Sequence, residues 1–423
     1  MQTSASAAVG ALGEAEQRLF SVDPRAGRTA TTCFVALSAV YQSTPCPRCA
    51  KVAHVDKPAL GDRIAQAREA AGMTQGRLGE AVGLDRTAIT RLEKGERKLS
   101  AHELVAVAKA LGRPMSYFVS APVPAVVSRR SDTSHAHETT RALDVELQGF
   151  ASDIQILMEM RLLTGHERAG DVKMPRDHTV AEQVAQKVRQ KLSLGDAPVR
   201  DLGAVCERLG LHTFSASLGA VGPDGGCVEV GDATACLGAA VINGDTPSGR
   251  RRMTLTHELG HWLFGDAYDV QASSDSERMI NSFAIHFLAP RAGIRTVWDQ
   301  YGELPVRDQA FAIGASFRLS WSAVIAQLKN VGFINDDEYR DLNECEPRSG
   351  DYLRLGISWD EELKSPYVSP GFAAACLNGY VSGRLTGDRV IELLRGTLAA
   401  GDLPHQDPPS RDSLRTAFAG HGG

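Results

Sequence analysis

No stretch of the sequence approaches the ~20 consecutive apolar residues that a bilayer-spanning helix needs, and the first residues lack a basic start followed by an apolar core. Membrane-spanning and secreted classes are therefore set aside, and a soluble cytoplasmic protein with no membrane partner is expected. A dominant charge is missing too. The net charge of −5 over 423 residues excludes a protein that coats nucleic acid along its whole surface. The eight cysteines, at 33, 46, 49, 206, 227, 236, 345 and 376, are scattered without a disulfide framework, so reduced thiols are expected. No internal repeat is present. What remains is an ordinary globular composition, 43% hydrophobic and 23% charged, in a chain too long for one core. At roughly 100 to 200 residues per domain, two or three units are expected.

Residues 1–57 are rich in Ala, Ser, Thr and Gly without a sustained period and read as a poorly ordered extension. Within it, Cys46-Pro47-Arg48-Cys49 followed by His54 has the spacing of half a zinc site. The other half is not visible, and a loose tail with two thiols is the plainer reading. Residues 58–120 change to short helices separated by Gly. Residues 121–140 hold Pro122, Pro124, the doublet Arg129-Arg130 and several Ser, Thr and His, the composition of a linker. Helical periodicity returns from 141, with Val184, Val188 and Leu192 on one face. Residues 213–250 contain short β-like runs such as Ala239-Ala240-Val241-Ile242-Asn243. Helices dominate from Arg251 onward, so the expected fold class is mainly α with a small β-sheet.

Residues 61–113 carry ten Lys/Arg against seven Asp/Glu in a chain that is acidic overall. Their periodicity predicts two short helices meeting at a steep angle. Thr74 caps the first, Gly83 allows the turn and Asp85 caps the second. Ile89 and Leu92 then point inward, while Arg86, Thr87, Thr90 and Arg91 lie on the outer face, where a major groove would be read. Gln75, at the start of the preceding helix, is placed to reach a phosphate together with the backbone N–H groups there. The Thr74-Gln75 opening, Leu78-Gly79-x-Ala81, Gly83 and Ile89-x-x-Leu92-Glu93-x-Gly95-x-Arg97 resemble the XRE, or Cro/C1-type, repressor family over residues 60–114. The resemblance implies a five-helix helix-turn-helix domain on double-stranded operator DNA, with a homodimer as one arrangement. A module that docks protein is the alternative.

His257 and His261 stand four apart in His257-Glu258-Leu259-Gly260-His261. On a helix both imidazoles project from one face and can ligate one ion, with Glu258 turned toward the adjoining water. Roughly one or two chains in a hundred of this length would carry such a pentapeptide by chance, so a second element is needed. Catalytic zinc takes three protein ligands and keeps a fourth position for water. Glu277 is the candidate third ligand, at the head of a segment whose Ile280, Phe283, Ala284 and Phe287 form an apolar face ending at Pro290. The two segments resemble the ImmA/IrrE metallopeptidases, with Asn281, Phe283, Ala284, Leu288 and Pro290 in register and Glu277 on the third zinc ligand. Ile280, Phe287 and Ala289 depart from that pattern at packing positions. Asn243 and the Arg251-Arg252-Met253 lead-in also resemble the family.

This resemblance covers about residues 141–345 and implies an α+β zincin-like domain with Zn2+ as cofactor, His257, His261 and Glu277 as ligands and Glu258 as catalytic base. It implies an endopeptidase that cuts a repressor-like protein and so releases transcription, in a mobile-element or stress setting. The strand at 239–243 would align an extended substrate by its backbone. Residues 346–423 are expected to be helical and have no assigned task. The rival reading is a transcriptional regulator whose peptidase-like domain senses metal or a partner without catalysis.

Overall fold

Short helices form at the N-terminal end because side chains take up the N–H groups that each helix start leaves orphaned. The computed structural model describes residues 57–113, 115–119, 136–167, 172–232, 234–265, 274–357 and 361–406. The Cys46, Cys49 and His54 spacing, the extension that carries it and residues 121–135 of the expected linker lie outside the described residues. Five helices make the first module: α1 (Lys57–Ala70), α2 (Gln75–Val82), α3 (Arg86–Glu93), α4 (Ala101–Ala110) and α5 (Met115–Val119). Thr74 accepts from the N–H of Arg77 and Asp85 from that of Ala88, while Ser100 and Glu103 close a capping box before α4. Gly83 ends α2 at φ 72°, in the left-handed region that glycine enters without steric cost. Ile64, Leu78, Ile89, Leu92, Val107 and Phe118 fill the core between the helices. The expected five-helix arrangement is what forms.

The next helix, α6 (Ala136–Glu159), begins inside the segment expected as linker. Its Val145 enters the core of the first module, while Leu143, Leu147, Phe150, Ile154 and Leu157 enter a second core. One helix therefore belongs to two cores. After α7 (His178–Lys191) and α8 (Leu202–Glu207) come β1 (Leu211–Ala216), β2 (Gly225–Asp232) and β3 (Ala235–Asn243), then α9 (Ser248–Phe264) and α10 (Ser274–Leu288). The remainder comprises α11 (Arg291–Gln300), α12 (Val306–Phe317), α13 (Trp321–Asn330), α14 (Asp336–Glu344), α15 (Ser349–Arg354), β4 (Tyr367–Val368), α16 (Pro370–Val381) and α17 (Gly387–Leu393). No single helix among the described residues is long and apolar enough to cross a membrane.

The four strands lie in the order β2-β3-β1-β4, with β3 parallel to β1 and antiparallel to β2, and β4 antiparallel to β1. Alternation along β3 divides its side chains between two faces. Ala240 and Ile242 face the core that holds Leu255, Leu259, Phe283 and Phe287 of α9 and α10. Leu237, Ala239 and Val241 face α6 and α16. The sheet thus has helices on both sides and buries nearly all of β3.

Two expectations change. The strand at 239–243 is interior, bonded to β1 on one side and β2 on the other, so its backbone has no free edge for a substrate; the outer strand is β2. Helices alone were expected after 345, yet Tyr367 and Val368 form β4, and Val368, Phe372, Cys376, Val390 and Leu393 fill the sheet's second core. A two-residue strand is too short to display a period in sequence.

Candidate metal centre

Burial along α9 is almost complete from Thr254 to His261, because the helix lies between the sheet and α10. Gly265, at φ 70°, accommodates the left-handed turn that ends it. Within α9, Gly260 allows close approach: a Cβ there would sit 2.8 Å from Ile280 Cγ2. The missing side chain lets α10 lie against the histidine face and bring Glu277 within reach.

The two histidines and Glu277 converge. His257 Nε2 and His261 Nε2 are 3.0 Å apart, and the Glu277 oxygens lie 3.3 Å from the first and 3.4 Å from the second. An ion bonded at about 2.0–2.1 Å in tetrahedral geometry separates its ligand atoms by about 3.3–3.4 Å. Those three side chains therefore stand close to three corners of a zinc-sized tetrahedron, and they are the one such His/Cys/Asp/Glu group among the described residues. Both histidines are buried. Burial works to raise the Glu277 carboxyl, yet its bonds to His257 and His261 hold it well below the usual carboxylate range.

Orientation of the first histidine comes from α10. His257 Nδ1 pairs with Asn281 Oδ1 at 3.0 Å; because an amide oxygen only accepts, this fixes the proton on Nδ1 and leaves Nε2 free to face the ligand cluster. Asn281 follows Glu277 by four residues, so one helical face supplies both a ligand and the group that aims another ligand.

Glu258 is fully buried, and neither carboxylate oxygen has a nitrogen or oxygen hydrogen-bond partner among the described residues. Burial pushes this carboxyl above the ordinary range, against the pull of His261 and His257. The Cys227 thiol of β2 lies against the same turn, 3.6 Å from the Glu258 backbone oxygen. A buried acid with only a weak thiol donor beside it is costly unless something else completes its surroundings. A cation held by its neighbours, and a water on that cation, are groups that would do so.

Residues 64–118 match the family model described as helix-turn-helix, and residues 206–329 match that of the IrrE N-terminal-like domain. The chain joins these two modules. Neither the curated proteins nor the solved structures contain a match to it. The pairing supports a DNA-binding regulator with a metallopeptidase-like domain, and His257, Glu258, His261 and Glu277 all lie within the IrrE-like match.

On the helix-turn-helix module, Arg86, Thr87 and Arg91 are exposed on α3, while Ile89 and Leu92 are buried beneath them. Thr90 and Gln75 are half-buried and bonded to each other, Thr90 Oγ1 donating to Gln75 Oε1 at 2.9 Å. Gln75 Nε2 donates to Glu93 at 2.8 Å, and Glu93 accepts from Arg68 Nε at 2.6 Å. Sequence spacing placed Gln75 at the helix start but did not reveal this chain of bonds, which spans three helices. The roles of Asn281, Gly260 and Cys227 were also missed. Only Asn281 carried a signal, its i+4 spacing from Glu277.

Proposed function

We propose that the chain is a cytoplasmic DNA-binding regulator whose IrrE-like domain is a zinc-dependent endopeptidase acting on a repressor-like protein. The observation that carries this is the triangle of His257, His261 and Glu277 at zinc-ligand spacing beside the buried carboxylate of Glu258, which has no nitrogen or oxygen hydrogen-bond partner among the described residues. His257, His261 and Glu277 would hold the ion, a donor set of two imidazoles and one carboxylate that leaves a fourth position open. Zinc, when bound, supplies Lewis acidity to the scissile carbonyl and lowers the pKa of its water to about 7. Glu258 accepts the proton of the attacking water and delivers it to the leaving amine as the C–N bond breaks. Its dry surroundings favour this return, because the protonated acid is the form that burial stabilises. Asn281 keeps His257 in the tautomer that presents Nε2 to the ion. Strand β2, which has β3 as its one strand neighbour among the described residues, is the edge strand that would align an extended substrate by backbone hydrogen bonds.

Arg86, Thr87 and Arg91, with Thr90 and Gln75 behind them, would contact DNA from α3 and the start of α2. Exposed guanidinium groups at the start of α3 (Arg86) and in its last turn (Arg91) suit guanine edges or phosphates. The Gln75–Thr90 bond would set their register in the groove.

Metal content by mass spectrometry on protein purified without added zinc tests the centre. About one zinc per chain is expected, lost in His257→Ala and Glu277→Ala and kept in Glu258→Gln. Wild-type protein should shorten its repressor-like partner, while Glu258→Gln binds that partner and leaves it intact. Wild-type protein without metal would overturn the peptidase reading. Normal regulation by Glu258→Gln would favour the non-catalytic sensor.

A further inference from the structure

Helix α6 is shared between the helix-turn-helix module and the IrrE-like domain, and arginines from both sides of it in the chain bond to its interior carboxylates. Glu146, on α6, accepts from Arg113 of the first module at 2.7 Å and from Arg395, beyond α17, at 3.2 Å. One and two turns further along the same helix lie Gly149 and Asp153. Asp153, whose side chain is 2% exposed, accepts from Arg395 at 2.6 Å and from Arg389 at 3.0 Å. Arg395 is therefore bonded to two α6 carboxylates at once. Its guanidinium also stands 4.6 Å from the ring centre of Phe214 on β1 and 5.8 Å from that of Phe150, distances suited to cation–π attraction. Space for it comes from Gly149, where a Cβ would meet Arg395 Nη2 at 3.3 Å.

We propose that α6 and residues 361–406 form a clasp that ties the DNA-reading module to the sheet of the IrrE-like domain, so that gain or loss of order in one module is felt by the other. Val145 inserts α6 into the first core, and Leu147, Phe150 and Ile154 insert it into the second. A hydrophobic helix shared in this way cannot leave one core without disturbing the other. The Arg113–Glu146–Arg395–Asp153–Arg389 chain continues that connection through largely buried ions, where removing one partner strands another. The clasp also gives a task to the segment after 361, which supplies Arg389 and Arg395 as well as β4. The docked face of the first module is made by α1 and α5, so Arg86, Thr87 and Arg91 on α3 stay exposed. DNA could be read without undoing the clasp.

Position of the tryptophans makes this testable in the full chain. Trp262, Trp298, Trp321 and Trp359 are its four tryptophans, and all lie outside the helix-turn-helix module. Thermal unfolding followed by tryptophan fluorescence therefore reports on the IrrE-like side alone. Leu78→Ala, a change in the core of the first module, should lower that midpoint by several degrees in the wild-type background. In an Arg395→Met background the same change should lower it by less than half as much. Arg113→Met, which cuts the module's end of the chain and leaves Arg395 on its aromatic rings, should do likewise and serves if Arg395→Met fails to fold. An unmoved tryptophan midpoint in Leu78→Ala overturns the proposal, as does an equal shift in all three backgrounds. A second arm rests on the DNA reading given above. Random-sequence duplex DNA at low salt should raise the tryptophan midpoint of the wild type and not of the clasp variants. DNA that binds without moving the midpoint overturns the clasp. Failure of DNA to bind overturns only the DNA reading, with the clasp decided by the first arm.

Discussion

Replacing Asn281 by leucine nearly conserves side-chain volume but removes the acceptor 3.0 Å from His257 Nδ1. The imidazole is fully buried, so water cannot take over the lost bond, and an unsatisfied buried donor costs about 1–3 kcal/mol. Two escapes are open to the ring. It can rotate, which misdirects Nε2, or it can move its proton to Nε2, which blocks the lone pair that a metal needs. Both weaken metal binding. Loss of a hydrogen bond behind a metal ligand typically lowers affinity about 10–100-fold, or about 1.4–2.7 kcal/mol. Complete burial argues for the upper half of that range, about 30–100-fold. Competition with a chelator of known zinc affinity measures it. Asn281→Asp keeps an acceptor at the same place and should bind zinc within about threefold of wild type. If the leucine variant also stayed within that margin while unfolding normally in urea, Asn281 would be a packing residue and the tautomer argument would fail.

Glu362→Leu should destabilise the chain by about 3–5 kcal/mol, read as a lower urea midpoint, because Glu362 pairs with the fully buried Arg252 and also accepts from Arg318 at 3.0 Å. A loss comparable to a surface pair, about 0–1 kcal/mol, would refute the view that Arg252 depends on it. Glu103 makes an acid-range prediction. Its bond to Arg97, with further bonds from Ser100, holds its carboxyl down at about 2. A depressed acid contributes stability that is present above the ordinary carboxylate value and lost as pH falls toward 2. In acid titrations followed by circular dichroism, Glu103→Gln should flatten the fall in stability between about pH 4.3 and 2, a small effect because the side chain is only half-buried and solvent screens its pairing. An unchanged acid limb would refute it.

Legibility in the sequence tracked the range of the interactions. Thr74, Gly83 and Asp85 act within one turn of the chain, and their expected capping and turning roles are those observed. His257 and His261 share a helical face through a spacing of four, which needs no knowledge of tertiary structure. Glu277 was harder, because its distance from the histidines depends on how two helices cross. The apolar face formed by Ile280, Phe283, Ala284 and Phe287, all fully buried, indicated which side of α10 turns inward. Gly260 sets how close that side comes, and nothing in its immediate sequence announces a contact with Ile280.

Side-chain partners at long range stayed hidden for a different reason. Gln75 was correctly put at a helix start, but its amide could bond to a phosphate, to water or to a neighbouring helix, and these choices differ by little in local terms. The fold decides the matter by placing Glu93 and Thr90 on either side of it. The same holds for Arg395, 249 residues from Glu146 and 242 from Asp153. Pairing over such separations depends on the sheet having formed, since Phe214 of β1 supplies one wall of the place where the guanidinium sits. The composition at 121–140 reads as a linker, and that local reading gave no weight to a helix that begins at Ala136 and buries residues in two cores. Whether two modules act separately is therefore decided less by the residues between them than by which core claims the helix that follows.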